Sequence, residues 1–376
     1  MTTALPPDPR DSNLWRSNRR LSRQIDFLVR AICFVFAAIS ILTTLGIVLT
    51  LVFESLDFFL DPYFRQALWL EQLTNSIAHG AGSQAQSLRD QVEAIDPRQL
   101  VERAKAMGLT APGAGAGVAY ALKQFFTDTR WTPLFKQADF GIFVLISATL
   151  MTTAIAMVVA IPLGLLIAIA LSEYAPPSLR QLIKPVLELI AGVPSVVFGY
   201  FALLTVTPFL KTFIPGIEVF NALSAGLVLG ICVLPLVASL SEDAIHAVPE
   251  DLRHAALAMG ATKREMIQAV VMPAAISGIV ASIILALSRA IGETMIVSLA
   301  AGQNPQPIDA SFNFLNPLIP VMTMTSFIVQ VSQGDVPFGT LPYKTIFIVG
   351  MALFVLTLSL NIVSYWFVRR FREKYD

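Results

Sequence analysis

The chain is 376 residues long; 55% of them are hydrophobic and 14% are charged, with 26 Lys and Arg against 26 Asp and Glu. An ordinary soluble domain carries roughly 25% charged residues, and a nucleic-acid binder needs a basic excess to neutralise phosphates. The composition therefore excludes a soluble enzyme, a disordered chain and a nucleic-acid-binding protein, and leaves an integral membrane protein.

A helix that crosses a bilayer needs roughly 20 apolar residues. Runs of that kind predict an all-α membrane protein with six transmembrane helices, at about 31–53, 140–171, 183–210, 219–240, 274–301 and 345–368. The first run is too long, and begins too late, for a cleavable signal peptide. The second exceeds one bilayer thickness and is expected to tilt or to kink at Pro162 and Gly164. Gly192-Val193-Pro194-Ser195 interrupts the third, and Pro235 falls near the end of the fourth. The sixth ends in Trp366-Phe367, an aromatic pair suited to an interface.

The distribution of charge orients these spans. Arg10, Arg16, Arg19, Arg20, Arg23 and Arg30 precede the first, and Arg369, Arg370, Arg372 and Lys374 follow the last. Basic residues favour the cytoplasmic side, so residues 1–30 and 369–376 are expected to be cytoplasmic ends. Arg180 and Lys184 then lie in one cytoplasmic connection, and Arg253, Lys263 and Arg264 in another; the short outer connections hold Lys211 and Lys344. Residues 54–139 form a long outer insertion, expected to be helical over 61–107 with an interruption at Pro97. A Gly- and Ala-rich flexible break is expected at 108–117. The insertion is either a spacer that caps the first span or a contact surface for an external partner.

Metal, cofactor and catalytic signals are absent. Cys33 and Cys232 lie in apolar runs and read as small hydrophobes, and His79, His246 and His254 form no metal-binding spacing. There is no Gly-Lys dipeptide and hence no phosphate-binding loop, so no cofactor or metal is expected, and any nucleotide hydrolysis must come from another polypeptide. No repeat of 20–50 residues is visible.

The segment 241–273 is the most informative. Pro249 suits the start of a helix, and Glu250 and Asp251 complement its dipole. Leu252, Ala255, Ala256 and Met259 recur at the spacing of one helical face. Gly260 is placed to end that helix in a left-handed conformation, and Thr262 with Glu265 forms a capping box for a second short helix. Pro273 opens the fifth span. The segment thus reads as a helix–glycine–helix elbow with small residues, Ala255 and Ala256, turned outward. The competing reading is an amphipathic connector lying on the bilayer.

Ala255-Ala256, Gly260, Ile267 and Pro273 resemble the "EAA" loop of the type I, MetI-like ABC importer permeases. That family usually has Glu before the two alanines; here His254 stands there. In the family the elbow seats in a groove of the ATPase subunit, so the resemblance implies an ATPase-coupling role for Leu252, Arg253, His254, Ala255, Ala256, Met259, Gly260, Ala261, Thr262 and Glu265. The stretches 189–199 and 287–295, with Gly292-Glu293-Thr294-Met295, are similar to the phosphate permeases of that class, and to the PstC family more than to its PstA partner. The resemblance implies a permease core over 140–368 and a complex for inorganic phosphate import. Its expected partners are a second permease subunit, two ATP-binding subunits, an extracytoplasmic phosphate-binding protein and membrane lipid, in a bacterial inner membrane. Another oxyanion, such as sulfate, molybdate or phosphonate, is the alternative cargo, and an ATP-independent channel or secondary transporter the alternative class.

Arg289 and Glu293 fall inside the fifth span, where an Arg at the helix centre costs about 2.5–3.5 kcal/mol on insertion scales. A spacing of four would let them pair. They are either a packing clamp or an element that binds an oxyanion, since guanidinium matches phosphate bidentately. Glu188, one turn before the Gly-Val-Pro-Ser break, either belongs with Ser195 to the substrate pathway or is exposed or paired with Lys184. Thr149, Thr152 and Thr153 could line the same path or bond back to their own helix.

Overall fold

A computed structural model describes residues 19–80, 113–135, 138–310 and 312–371. Regular structure in them is helical, apart from one antiparallel bridge between Trp131 and Phe140. Among the described residues, five helical stretches are long and apolar enough to cross a membrane, or six if one sharply bent pair counts as a span. Residues 1–53 and 54–376 form separate units. Helix α1 (Arg19–Phe59) begins in the first of them, where large apolar side chains such as Phe34, Phe36, Ile41 and Leu42 are exposed, as suits a lipid-facing helix.

In the second unit, α2 (Pro62–Gly80) and α3 (Ala114–Thr127) belong to the insertion. The expected flexible break at 108–117 is corrected at its end: Ala114–Gly117 form the first turn of α3. A Cβ at Gly117 would sit 2.4 Å from Arg65 Cγ, so this glycine permits the crossing of α2 and α3. Residues 81–112, including Pro97, lie outside the described residues. Buried aromatics tie the insertion to the membrane core. Phe58 packs on Phe64 and Phe140 at 5.2 and 5.4 Å, and Trp131 on Phe327 at 5.0 Å. Lys344 bridges Asp57 and Asp61, each at 2.8 Å.

Helix α4 (Ile142–Ile169) continues unbroken through Pro162 and ends in a π turn, Ala170–Tyr174. Gly164, expected at a kink, instead meets α8 (Ala222–His246): a Cβ there would lie 2.8 Å from Val237 Cγ1. Two glycines of α8 do the same for α4. A Cβ at Gly226 would come within 2.7 Å of Ile155, and one at Gly230 within 2.7 Å of the Ala156 carbonyl. Small residues one turn apart let helix backbones approach closely where lipid supplies no hydrophobic drive. Thr149, Thr152 and Thr153 are buried on α4 and donate to Leu145, Ala148 and Thr149 carbonyls at 2.7, 3.0 and 2.7 Å.

The predicted third span is two helices, α5 (Pro177–Ala191) and α6 (Ser195–Phe201), the second prolonged through a π turn into α7 (Thr207–Lys211). The two halves meet at 85°, because Pro194 lacks the N–H that would continue the ladder. The elbow helices α9 (Glu250–Ala258) and α10 (Lys263–Met266) follow α8. A π turn, Ile267–Val271, leads from them into α11 (Met272–Ile291). The predicted fifth span is corrected too: α11 stops at Ile291, Gly292 caps it, and α12 (Met295–Ala300) starts anew. Helices α13 (Met324–Gln333) and α14 (Leu341–Phe371) complete the chain.

The α4–α8 contact yields a direct test. Replacing Gly230 by Leu must displace the Ala156 carbonyl, and overpacking of this kind costs about 1–3 kcal/mol. The variant should lose its folded, detergent-soluble form at a lower temperature than the parent in a heating series followed by size-exclusion chromatography.

Candidate functional site

The elbow is built from local chemistry. Glu250 and Asp251 sit in the first turn of α9. At its other end Gly260 takes φ +86°. The Gly260 N–H donates to the Leu257 carbonyl at 3.0 Å, and the Ala261 N–H to that of Ala256 at 3.1 Å. This paired closure is the one that a left-handed residue makes possible after a helix. Thr262 then caps α10: its Oγ1 accepts from the Glu265 N–H at 3.3 Å, while Glu265 Oε2 accepts from the Thr262 N–H at 2.8 Å.

The stripe Leu252, Ala255, Ala256 and Met259 does not stay on one side, which corrects the expectation that Ala255 and Ala256 both face outward. Leu252 and Ala256 pack on a buried cluster that includes Ile245, Val248, Met266, Ile267 and Val271. Ala255, with His254, Leu257 and the 89%-exposed Met259, faces away from it. The four positions cover an arc of about 100°; the body of the protein covers its edge at Leu252 and Ala256, and Met259 falls past the last residue of α9.

Arg253 faces inward. Its Nε donates to Glu173 Oε1 at 3.2 Å, and its two terminal nitrogens donate to the Val248 and Ile245 carbonyls at 2.5 and 2.8 Å. One guanidinium therefore holds the end of α8, the π turn after α4 and the elbow together. Lys263 adds a contact to that π turn, its Nζ lying 4.7 Å from the Tyr174 ring centre.

The second group of candidate residues lies at the two helix breaks. Gly199 of α6 faces α12: a Cβ there would lie 3.1 Å from the Met295 carbonyl oxygen and 2.9 Å from Leu299 Cδ1. The interruptions at 192–194 and 292–294 thus lead into helices that pack on each other, with half-buried Ser195 opening α6. The expected Arg289–Glu293 pair is corrected. No ion pair joins them among the described residues, because the helix ends between them. Arg289 is exposed and Glu293 half-buried. The Glu293 carbonyl accepts from Thr325 Oγ1 at 2.9 Å, which fixes the backbone of the break.

Glu188 is exposed and unpaired with Lys184. It lines a cavity of about 600 Å³ with Arg180, Gln181, Lys184, Ser172 and His246. Lys184 Nζ reaches across to Glu242 at 3.0 Å and Asp243 at 2.7 Å, and Arg180 pairs with Glu242 as well. The sequence reading used Arg180 and Lys184 only as markers of sidedness and passed over Glu173, Glu242 and Asp243. The usable signal was an acidic dipeptide at the end of one span and two cations spaced at i, i+4 in the preceding cytoplasmic connection.

These features define the membrane subunit of a transporter worked by another polypeptide. Residues 160–373 match the family described as "Binding-protein-dependent transport system inner membrane component", and the chain belongs to it: an integral membrane permease subunit of an ABC importer, a class that works with separate ATP-binding subunits and a substrate-binding protein. Within that class it is similar to the "Phosphate transport system permease protein PstC" of Mesorhizobium japonicum (strain LMG 29417 / CECT 9101 / MAFF 303099). The identity is 34% over 265 residues, 65% of this chain and 78% of the relative. It is also 29% identical over 248 residues to the "Probable ABC transporter permease protein YqgH" of Bacillus subtilis (strain 168), covering 66% of this chain and 78% of that one. Among solved structures it is similar to the MetNI methionine ABC transporter in an inward-facing conformation, with a TM-score of 0.45 and 17% identity over 62% of this chain and 95% of that one.

Two outcomes are expected at the elbow. Gly260→Val forces a β-branched residue into the left-handed region, at a cost of roughly 1–2 kcal/mol, and transport per ATP hydrolysed by the reconstituted complex should fall. Arg253→Met leaves the Glu173 carboxylate buried and unpaired, a change that typically costs about 3–5 kcal/mol; amide hydrogen exchange should show α9 losing protection before α8 does.

Proposed function

We propose that this chain is the permease subunit of an ATP-driven importer of inorganic phosphate, providing the translocation pathway by alternating access. Its partners are a second, similar permease, two ATP-binding subunits and an extracytoplasmic phosphate-binding protein. It sits in a bacterial inner membrane with both termini cytoplasmic, the side on which the basic residues of its ends and of the elbow concentrate. The elbow from Leu252 to Glu265 is the segment that the ATP-binding subunits move, and its exposed apolar side chains, Leu257 and Met259, are the surface they hold.

The observation that carries the phosphate reading is the release of Arg289 from Glu293. The break at Gly292 leaves an exposed guanidinium in the last turn of α11, unpaired with any carboxylate among the described residues. A guanidinium without a carboxylate partner can offer its paired N–H groups to a tetrahedral oxyanion. The names of the PstC relatives favour phosphate among such anions.

The test is uptake by the complete complex in sealed vesicles. Radiolabelled phosphate should accumulate with ATP and the binding protein present, and Arg289→Gln should abolish accumulation while the subunits still co-purify. Accumulation of sulfate or molybdate in place of phosphate would overturn the cargo assignment. Loss of assembly in Arg289→Gln would make that residue a packing clamp.

A further inference from the structure

We infer that Arg180 and Lys184 of α5, closed on Glu242 and Asp243 of α8, form an ionic clamp that makes the broken span move with the elbow. The clamp rests on the reading of the elbow as the segment that the ATP-binding subunits drive, and extends it to how the motion reaches the pathway.

The geometry runs through one stretch of α8. Residues 242 and 243 of α8 hold α5, while the carbonyl of Ile245 in its last turn, with that of Val248 just past its end, holds Arg253 of the elbow. Both attachments fall within two turns, so a displacement of α9 reaches α5 through a stiff helix end and not through the connecting loop. Arg180 and Lys184 share a face of α5 because they are four residues apart. Arg180 also lies 3.4 Å from His246 Nε2.

Glu242 explains why the clamp stays shut. Its side chain is 1% exposed and has two cationic partners, Arg180 and Lys184. A carboxylate so placed cannot lose both without being left buried and charged, which is strongly unfavourable. Asp243 is half exposed and shares Lys184, so it adds attraction without that penalty. The cavity beside the clamp does not hold the charges apart: both cations line it while remaining bonded to α8. Helix α5 is one half of a span bent by 85° at 192–194, and that break allows it to follow α8 without dragging α6 by the same amount.

The experiment uses the full complex with spin labels at Leu182→Cys on α5 and Val355→Cys on α14, both exposed positions, in a Cys33→Ala background; Cys232 is buried. The distance between the labels is measured with and without ATP. With the clamp intact, ATP should shift the distance. In Glu242→Gln, which keeps the side-chain shape, the shift should be lost while ATP hydrolysis persists. Lys184→Met should weaken the shift, and Lys184→Arg, which returns a cation to face Glu242 and Asp243, should recover it, a dependence on charge that a merely structural role does not predict. The proposal is overturned if ATP produces no shift with the clamp intact, or if Glu242→Gln shifts as the parent does. It is also overturned if Lys184→Arg fails to recover the motion in a complex that assembles. Should Gly260→Val leave the shift intact, the elbow reading fails first, and the Glu242→Gln result then reports on α5 and α8 alone.

Discussion

The rest of the molecule depends on how closely α8 lies against α4. In lipid, apolar side chains gain nothing by leaving solvent for a neighbouring helix, so association rests on packing contact itself. Gly226 and Gly230 bring the α8 backbone to within contact of Ile155 and of the Ala156 carbonyl, and Gly164 receives Val237 from the other direction. On a further face, Gly278 of α11 leaves room for Ala244, whose Cβ would otherwise lie 2.5 Å away. Helix α8 is thereby held between two others along much of its length. A helix held in this way can carry groups whose positions matter near its end: Glu242 against α5, and the Ile245 carbonyl under Arg253.

The two broken helices gain their meaning from that fixed reference. Each break ends one helix and starts another at a new angle, and the two new helices, α6 and α12, cross at Gly199. The break at Gly292 also decides the state of Arg289. An unbroken helix would set Glu293 one turn above it and neutralise it; termination at Ile291 turns the backbone and separates the pair. The backbone geometry sets the electrostatics here.

How much of this could be read from the chain follows from how local each feature is. The elbow was legible almost residue by residue, because its glycine, its capping box and its acidic first turn are interactions within a few positions of each other. Apolar runs located the spans, and Gly192-Val193-Pro194 announced one bend. The partners of Arg253 were not legible, since Glu173 lies 80 residues earlier, nor was the clamp, whose two sides are 58 and 59 residues apart. The pairing of Arg289 with Glu293 was misread for the same reason in reverse: periodicity assumes a continuous helix, and Gly292 ends it. The first turn of α3 was misread because Gly and Ala at 114–117 suggest a loop by composition, while the requirement there is room for Arg65.

The division of α9 into two faces bears on how it can serve as a lever. A connecting element that transmits force must be stiff where it meets the body and adhesive where it meets the partner, and a helix of nine residues is too short to be stable alone. The inward face supplies stiffness through Leu252, Ala256 and the Arg253 fork. The outward face keeps Ala255, Leu257 and Met259 uncovered. His254, the position at which this chain departs from the Glu of the family it resembles, is on that outward face. It makes none of the contacts that seat α9 on α8 and α4. The substitution therefore leaves the docking of the elbow on its own subunit untouched and changes only the charge on its outward face.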